Sequence, residues 1–178
     1  LIVADVMMPG IDRYELSQKL KSHPETSHIP VILLTAKSSN EHRVEGIKAG
    51  ADAYIAKPFE VEHLKVRISN LLETRKELKL KFAKQLMFEP AEIAATPTDE
   101  LILKKALEVV EDHMNEEEFD LERFGSLMSM SRSTLNRKLK GVTGESPQAF
   151  VRKMRLKRAA SLLQSGALTV SEVAEKVG

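Results

Sequence analysis

The chain has 178 residues, of which 42% are hydrophobic and 30% charged, and its formal net charge is +1. These values are typical of a globular chain with one domain or two small ones. The absence of cysteine excludes disulfide bonds and thiolate metal sites. Apolar runs such as Val31 to Leu34 are too short to cross a bilayer, and no basic region precedes a secretory core. We therefore expect a soluble, cytoplasmic segment.

The first third of the chain alternates strand and helix patterns. Strands are predicted at residues 1–5, 31–35 and 52–56, and helices near 13–22, near 41–49 and from about residue 60. Residues 1–4 are apolar without alternation, which is typical of a strand buried on both faces. This order predicts a parallel α/β sheet with right-handed crossovers.

The helix from about residue 60 is unusually long. Apolar residues occur along it at steps of three and four, and they predict a short coiled-coil seam through Val61, Leu64, Ile68, Leu71, Leu78 and Phe82. The pattern stops at two prolines in MFEPAEIAATPTDE, the predicted linker. Helices follow at 100–113, 121–129, 133–140, 147–165 and 170–177. The predicted domains are therefore 1–75, a helical extension and linker at 76–100, and 101–178.

Charge is distributed unevenly along the second part of the chain. Acidic residues dominate from Asp99 to Asp120, whereas nine basic residues and one acidic residue, Glu145, occur between Ser131 and Gln164. The basic residues are Arg132, Arg137, Lys138, Lys140, Arg152, Lys153, Arg155, Lys157 and Arg158. Such a block indicates a surface for a polyanion.

Three polar residues follow the three predicted strands. Asp5, Thr35 and Lys57 stand at successive strand ends, and the carboxyl edge of a parallel sheet is where ligand sites gather. A carboxylate beside an ammonium and a hydroxyl favours a phosphoryl-acceptor site, with Asp5 as the nucleophile. Taken singly, each residue has a structural explanation: a turn former, a strand end and a solvated charge.

The motifs LIVADVMMPGIDRYEL, PVILLTA and GADAYIAKPF resemble the back half of the receiver domain of bacterial two-component response regulators. The resemblance implies a flavodoxin-like sheet, phosphate transfer to Asp5 from a histidine kinase in cis or in trans, and a cis peptide before Pro58. It also implies Thr35 and Tyr54 as a switch pair, and Mg²⁺ held by Asp5 and the Met7 carbonyl.

A complete receiver of this family begins two strands and two helices earlier, with an acidic pair that completes the metal site. We therefore expect a partial receiver in which Mg²⁺ belongs to the intact domain and is not bound by this segment. Asp5 is expected to accept phosphate in the whole protein and not in the segment alone.

The stretch FDLERFGSLMSMSRSTLNRKLKGVTGESP predicts a helix, a tight turn and a second helix capped by Ser131. Side chains suited to base edges and phosphates lie on the exposed face of the second helix. They are Arg132, Ser133, Asn136, Arg137 and Lys140.

The following residues, with RLKRAASLL and TVSEVAEKVG, resemble the AraC/XylS family of transcription activators, in which one long helix joins two helix-turn-helix motifs. We expect an all-α AraC-type domain that ends before its second recognition helix. In the connecting helix the predicted core residues are Phe150, Met154, Leu156, Ala159, Leu162 and Leu163. For Lys157 and Arg158, solvent exposure and phosphate contact both stay open.

Together the two resemblances predict a phosphorylation-controlled DNA-binding transcription regulator and no enzyme in this segment. The parent protein is expected to be a hybrid sensor of the inner membrane or a free-standing regulator. Its expected partners are promoter DNA, a histidine kinase, a second copy of the chain and, as a candidate, RNA polymerase. We expect self-association through the strand at residues 1–5, which would lack a neighbour.

Two alternatives come from other function classes. One is a small α/β phosphoryl-transfer hydrolase that uses Asp5 and Lys57 and carries a helical regulatory domain. A dehalogenase-type phosphatase would have a second aspartate two residues after the nucleophile, where this chain has Met7. The other is a dimerisation or adaptor module without DNA contact, against which the basic block argues.

Overall fold

A computed structural model of the chain describes residues 1–5, 13–35, 50–85, 89–116 and 118–178. The chain divides into two compact units, Leu1–Glu77 and Leu78–Gly178. The helix predicted near residues 41–49 lies outside the described residues.

The first unit contains a parallel three-stranded sheet. Its strands are β1 (Ile2–Asp5), β2 (Val31–Thr35) and β3 (Ala53–Ala56), in the spatial order β1-β2-β3. In the register, Asp5 pairs with Leu34 and Thr35 pairs with Ala56. The predicted parallel sheet is confirmed, and the carboxyl ends of the three strands share one edge.

Side chains of the sheet pack on both of its faces. Val31, Ile32 and Leu33 are all buried. Since successive residues of a strand point to opposite faces, their burial means that both faces of the sheet are covered. On one face the core cluster includes Leu16 and Leu20 of helix α1 (Arg13–Ser22). On the other face it includes three residues of helix α2 (Val61–Lys84), namely Leu64, Ile68 and Leu71.

The predicted coiled-coil seam is therefore wrong for these three residues of α2, since they pack inside the first unit. Phe82, at the other end of the same helix, is fully buried in the core of the second unit. Val61, by contrast, is exposed. At Leu64, Ile68, Leu71 and Phe82 the steps of three and four arise from packing within the chain.

A partly buried carboxylate joins several elements of the first unit. Asp52 accepts the backbone N–H of Val31 at 2.8 Å and forms ion pairs with Lys21 of α1 and, at 3.0 Å, with Arg75 of α2. The three side chains are at most 15% exposed. Two cations and an N–H therefore compensate the desolvation of Asp52.

The second unit is helical beyond the end of α2. Its helices are α3 (Pro90–Ile93), α4 (Pro97–His113), α5 (Leu121–Leu127), α6 (Arg132–Thr143), α7 (Pro147–Gln164) and α8 (Val170–Val177). The last five each begin after a residue whose side-chain oxygen accepts a backbone N–H from the first turn. These N-caps are Thr96, Asp120, Ser131, Ser146 and Thr169.

Stacked phenylalanines form the centre of this unit. The ring of Phe82 lies parallel to that of Phe150, with centroids 5.8 Å apart, and Phe124 stacks on Phe150 at 6.4 Å. Leu135 and Leu139 of α6 belong to the same buried cluster. The two helices of the predicted helix-turn-helix therefore share one core with the end of α2.

The segment predicted as a linker contains α3 and contributes the buried residues Ile93 and Asp99 to the second unit. The core assignment of Leu156 and Leu163 is wrong, because both are exposed, at 55% and 46%. At 100° per residue they lie away from the side of α7 that carries the buried Met154. None of the described helices combines the length and apolar character needed to cross a membrane.

Candidate functional site

Asp5 and Lys57 meet at the carboxyl edge of the sheet. Asp5 is the last residue of β1, Lys57 directly follows β3, and the Lys57 ammonium forms an ion pair with Asp5 Oδ2. The two side chains are 41% and 39% exposed, so the pair is open to solvent. An accessible carboxylate beside a cation can receive a group with negatively charged oxygens.

Thr35 ends the middle strand at the same edge. Its carbonyl oxygen accepts the backbone N–H of Lys57 at 2.6 Å, which joins the strand end to the residue beside Asp5. Tyr54 pairs in register with Leu33 and packs against the cluster that contains Ala4. The peptide bond between Lys57 and Pro58 is cis. The switch roles of Thr35 and Tyr54 stay predictions.

Mg²⁺ binding at this edge depends on the oxygen ligands that its residues offer. Mg²⁺ needs a near-octahedral set of oxygens, of which carboxylates supply one or two and water most of the rest. Among the residues that the structure describes, no group of three or more Asp, Glu, His or Cys side chains could hold a metal ion. The Met7 carbonyl lies outside the described residues. The described residues alone do not form a magnesium site.

In the second unit, α5 and α6 form a helix-turn-helix. The turn closes through the Met130 N–H, which donates to the Gly125 carbonyl oxygen at 2.8 Å, and Ser129 adopts a left-handed φ of 56°. A Cβ at Gly125 would lie 2.8 Å from the Met130 carbonyl oxygen. Glycine is therefore required here for the turn to approach α5 closely.

The outward face of α6 carries the predicted DNA-contacting residues. Ser131 caps the helix by accepting the Thr134 N–H at 3.2 Å. The side chains of Arg132, Ser133, Asn136, Arg137 and Lys140 are all exposed. Steps of three and four place them on one side of the helix, opposite Leu135 and Leu139.

Lys138 does not belong to the basic surface that the sequence predicts. Its side chain is 0% exposed and forms an ion pair with Asp99 of α4, which is 1% exposed. Position 138 falls on the inward stripe of α6, between Leu135 and Val142. In the sequence, the helical spacing of position 138 relative to Leu135 and Val142 indicates burial. A count of basic residues along the chain does not distinguish Lys138 from its exposed neighbours.

Part of the basic block on α7 also points inward. The Lys153 ammonium donates to the Phe82 carbonyl oxygen and lies 4.1 Å from the centroid of the Phe82 ring. Burial lowers the pKa of Lys153 below its ordinary value of 10.5. Arg155 donates two hydrogen bonds, at 2.8 and 3.2 Å, to the Met114 carbonyl oxygen. Arg158 is exposed.

Two family models match this chain. Residues 1–69 match the response regulator receiver domain, and residues 126–178 match a helix-turn-helix domain. The first match includes Asp5, Thr35 and Lys57, and the second includes α6 and its exposed side chains.

Proteins of known name are similar to all or to part of the chain. The chain is 44% identical over its full length to "Histidine kinase P4" of Formosa agariphila and spans 13% of that protein. It is 40% identical over 76 residues to the phosphate regulon transcriptional regulatory protein PhoB of Rhizobium meliloti, covering 43% of this chain and 34% of PhoB. A crystal structure of a putative response regulator from Chloroflexus aurantiacus is 41% identical, with a TM-score of 0.38, and the match covers 40% of this chain and 58% of that one.

Proposed function

We propose that a receiver domain at residues 1–69 and an AraC-type helix-turn-helix domain at residues 126–178 act as a phosphorylation-controlled DNA-binding transcription regulator. The observation that carries this proposal is the presence of both sites in one chain. The Asp5–Lys57 pair lies at the sheet edge of the first domain, and exposed basic residues cover α6 of the second.

The first step of the proposed function is phosphoryl transfer to Asp5. A carboxylate oxygen of Asp5 attacks the phosphorus of a phosphohistidine on the kinase, the P–N bond breaks, and the imidazole nitrogen keeps the electron pair and takes up a proton. The Lys57 ammonium, already beside Asp5, would then pair with the added phosphoryl oxygens. The Thr35 hydroxyl is the proposed second donor.

Substitution of Asp5 tests this step in the whole protein. Asp5→Asn should abolish phosphate uptake from acetyl phosphate or from the kinase, measured by mobility on phosphate-binding gels and by mass spectrometry. Glu60→Gln, which neutralises an exposed carboxylate shortly after Lys57, should leave uptake unchanged. Stable phosphate on another residue of the Asp5→Asn protein would refute the assignment.

The second step is DNA binding through α6. Arg132 and Arg137 present guanidinium groups suited to guanine edges, Asn136 suits adenine, and Ser133 and Lys140 suit phosphates. Arg132→Ala and Arg137→Ala should each weaken binding to a selected site by about 1–3 kcal/mol if the contact is to a base. If the contact is to phosphate, binding should weaken evenly across sequences.

A control variant with the same loss of charge is available in the first unit. Arg67→Ala removes the same charge from an exposed position of α2 in the first unit and should leave DNA affinity unchanged. Binding can be followed by fluorescence anisotropy at several salt concentrations, since affinity and its salt dependence report different contacts. If both α6 variants bind selected and random DNA as the parent does, α6 is not the DNA-reading helix.

The proposal implies partners beyond the DNA. A receiver domain implies a histidine kinase, in cis or in trans, and the chain spans 13% of a relative named as a histidine kinase. We further propose dimerisation, contact with RNA polymerase, a cytoplasmic location for this segment, and Mg²⁺ in the phosphorylation reaction. We propose a regulatory and not an enzymatic role, and the family matches favour it over the hydrolase.

A further inference from the structure

The recognition helix α6 carries a charge on its buried side. Lys138 is completely buried, and its ammonium pairs with the carboxylate of Asp99, which lies in the first turn of α4. The Asp99 N–H donates to the N-cap oxygen of Thr96 at 3.1 Å, which fixes the backbone that carries this carboxylate. Within the second unit, the ion pair therefore connects α6 to a residue of α4 whose backbone is fixed by the N-cap of that helix.

Position 138 lies on the inward stripe of α6 together with apolar residues. Leu135, Lys138, Leu139 and Val142 follow the spacing i, i+3, i+4, i+7, and all four are buried. The exposed residues proposed to contact DNA occupy the opposite side. A rotation of α6 about its axis would move both sets together.

Apolar packing alone defines this rotation poorly. Contact between the leucine side chains of α6 and the core is nondirectional, so neighbouring rotations bury similar areas. A buried ammonium differs, because a rotation that separates Lys138 from Asp99 leaves two charges desolvated without each other. The pair therefore favours one rotation strongly over its neighbours.

We propose that Asp99 is a positioning residue for the DNA-reading helix, which it holds through Lys138 in the rotation that presents the exposed residues to base edges. This inference rests on the proposed DNA-binding function. It assigns a specificity role to a residue of α4, outside the helix-turn-helix match of residues 126–178.

The test compares specificity in variants of the whole protein. Asp99→Leu with Lys138→Met replaces the pair by apolar side chains, an exchange that buried ion pairs often tolerate without loss of stability. Asp99→Asn is a smaller change that removes only the carboxylate charge. Thr143→Val is the matched control, since Thr143 is buried on the same helix and its hydroxyl donates to the Leu139 carbonyl oxygen within α6, at 2.8 Å.

The readout is the ratio of affinities for a site selected by the parent protein from random DNA and for unselected DNA. In folded Asp99 variants, checked by circular dichroism, we expect the ratio to fall by about tenfold, the effect of one mismatched base pair. Affinity for unselected DNA and its salt slope should stay unchanged, and Thr143→Val should keep the parent ratio.

The outcomes separate this inference from the proposed function. An unchanged ratio in either folded Asp99 variant overturns the positioning role while DNA binding stands. An equal loss of affinity for both DNAs also overturns it, because it indicates general damage to the unit. If the parent protein binds neither DNA, the proposed function fails and the inference fails with it.

Discussion

Phe82→Ala is expected to destabilise the unit Leu78–Gly178 by about 4 kcal/mol, since truncation of a buried Phe costs about 3–5 kcal/mol. The Phe82 side chain is fully buried, its ring stacks on Phe150 at 5.8 Å, and Lys153 Nζ lies 4.1 Å from its centroid. The stacking contributes about 0.5–1.5 kcal/mol of that total. Because domains are stabilised by only about 5–15 kcal/mol, the unit would lose a large share of its stability.

Urea denaturation of the 178-residue chain, followed by far-UV circular dichroism, measures this loss. With a slope of about 2 kcal/mol per molar urea, the midpoint of the helical unit should fall by about 2 M. Leu80→Ala is the control on the same helix, since Leu80 is 46% exposed and its truncation should cost less than about 1 kcal/mol. Equal shifts in the two variants would show that Phe82 is not part of this core and would refute the reasoning.

Three further predictions concern single side chains. Asp52→Asn should destabilise the first unit by about 3 kcal/mol in the same assay, because two partly buried cations lose their carboxylate partner. The control Glu62→Gln removes a carboxylate from an exposed ion pair and should change the stability by less than about 0.5 kcal/mol. Gly125→Ala should lower the melting temperature of the second unit, because its Cβ would lie 2.8 Å from a backbone oxygen; an unchanged temperature would contradict this. Hydrogen bonds from the Thr169 backbone and hydroxyl lower the pKa of Glu172, so its contribution is present above the ordinary carboxyl value of 4.5 and is lost as pH falls through the lowered value. Melting temperatures at about pH 7 and pH 3 should therefore differ more in the parent than in Glu172→Gln.

The strands and most helices could be predicted because their signals are local. A continuous apolar run such as residues 31–34 specifies a strand buried on both faces, and the alternation of elements specifies a parallel sheet. In the sequence, the two prolines at positions 90 and 97 indicate a linker. Both stand in the first turns of helices, where proline lacks an N–H that would have no partner anyway.

The convergence of Asp5, Thr35 and Lys57 at one edge could be predicted because parallel topology alone brings strand ends together. The ion pairs around Asp52 could not, since Lys21 and Arg75 are 31 and 23 residues away and nothing local marks them as partners. In the sequence, Arg75 stands between Leu71 and Leu78 at a position where the spacing of α2 would place an apolar residue. In the structure the Arg75 guanidinium donates a hydrogen bond to the Asp52 carboxylate, which connects α2 to that residue.

Lys138 shows most clearly why residue type and helical position must be considered together. By residue type, Lys138 belongs to the basic block. By helical position, it belongs to the inward stripe with Leu135 and Leu139, and in the structure its side chain is buried, as its position predicts. A charge can occupy a buried position only where another element supplies its partner, and that partner, Asp99, lies 39 residues away. The exposed face of α6 follows from its own sequence, whereas the rotation in which that face is presented depends on α4. A substitution in α4 is therefore expected to alter DNA specificity without changing any residue that contacts DNA.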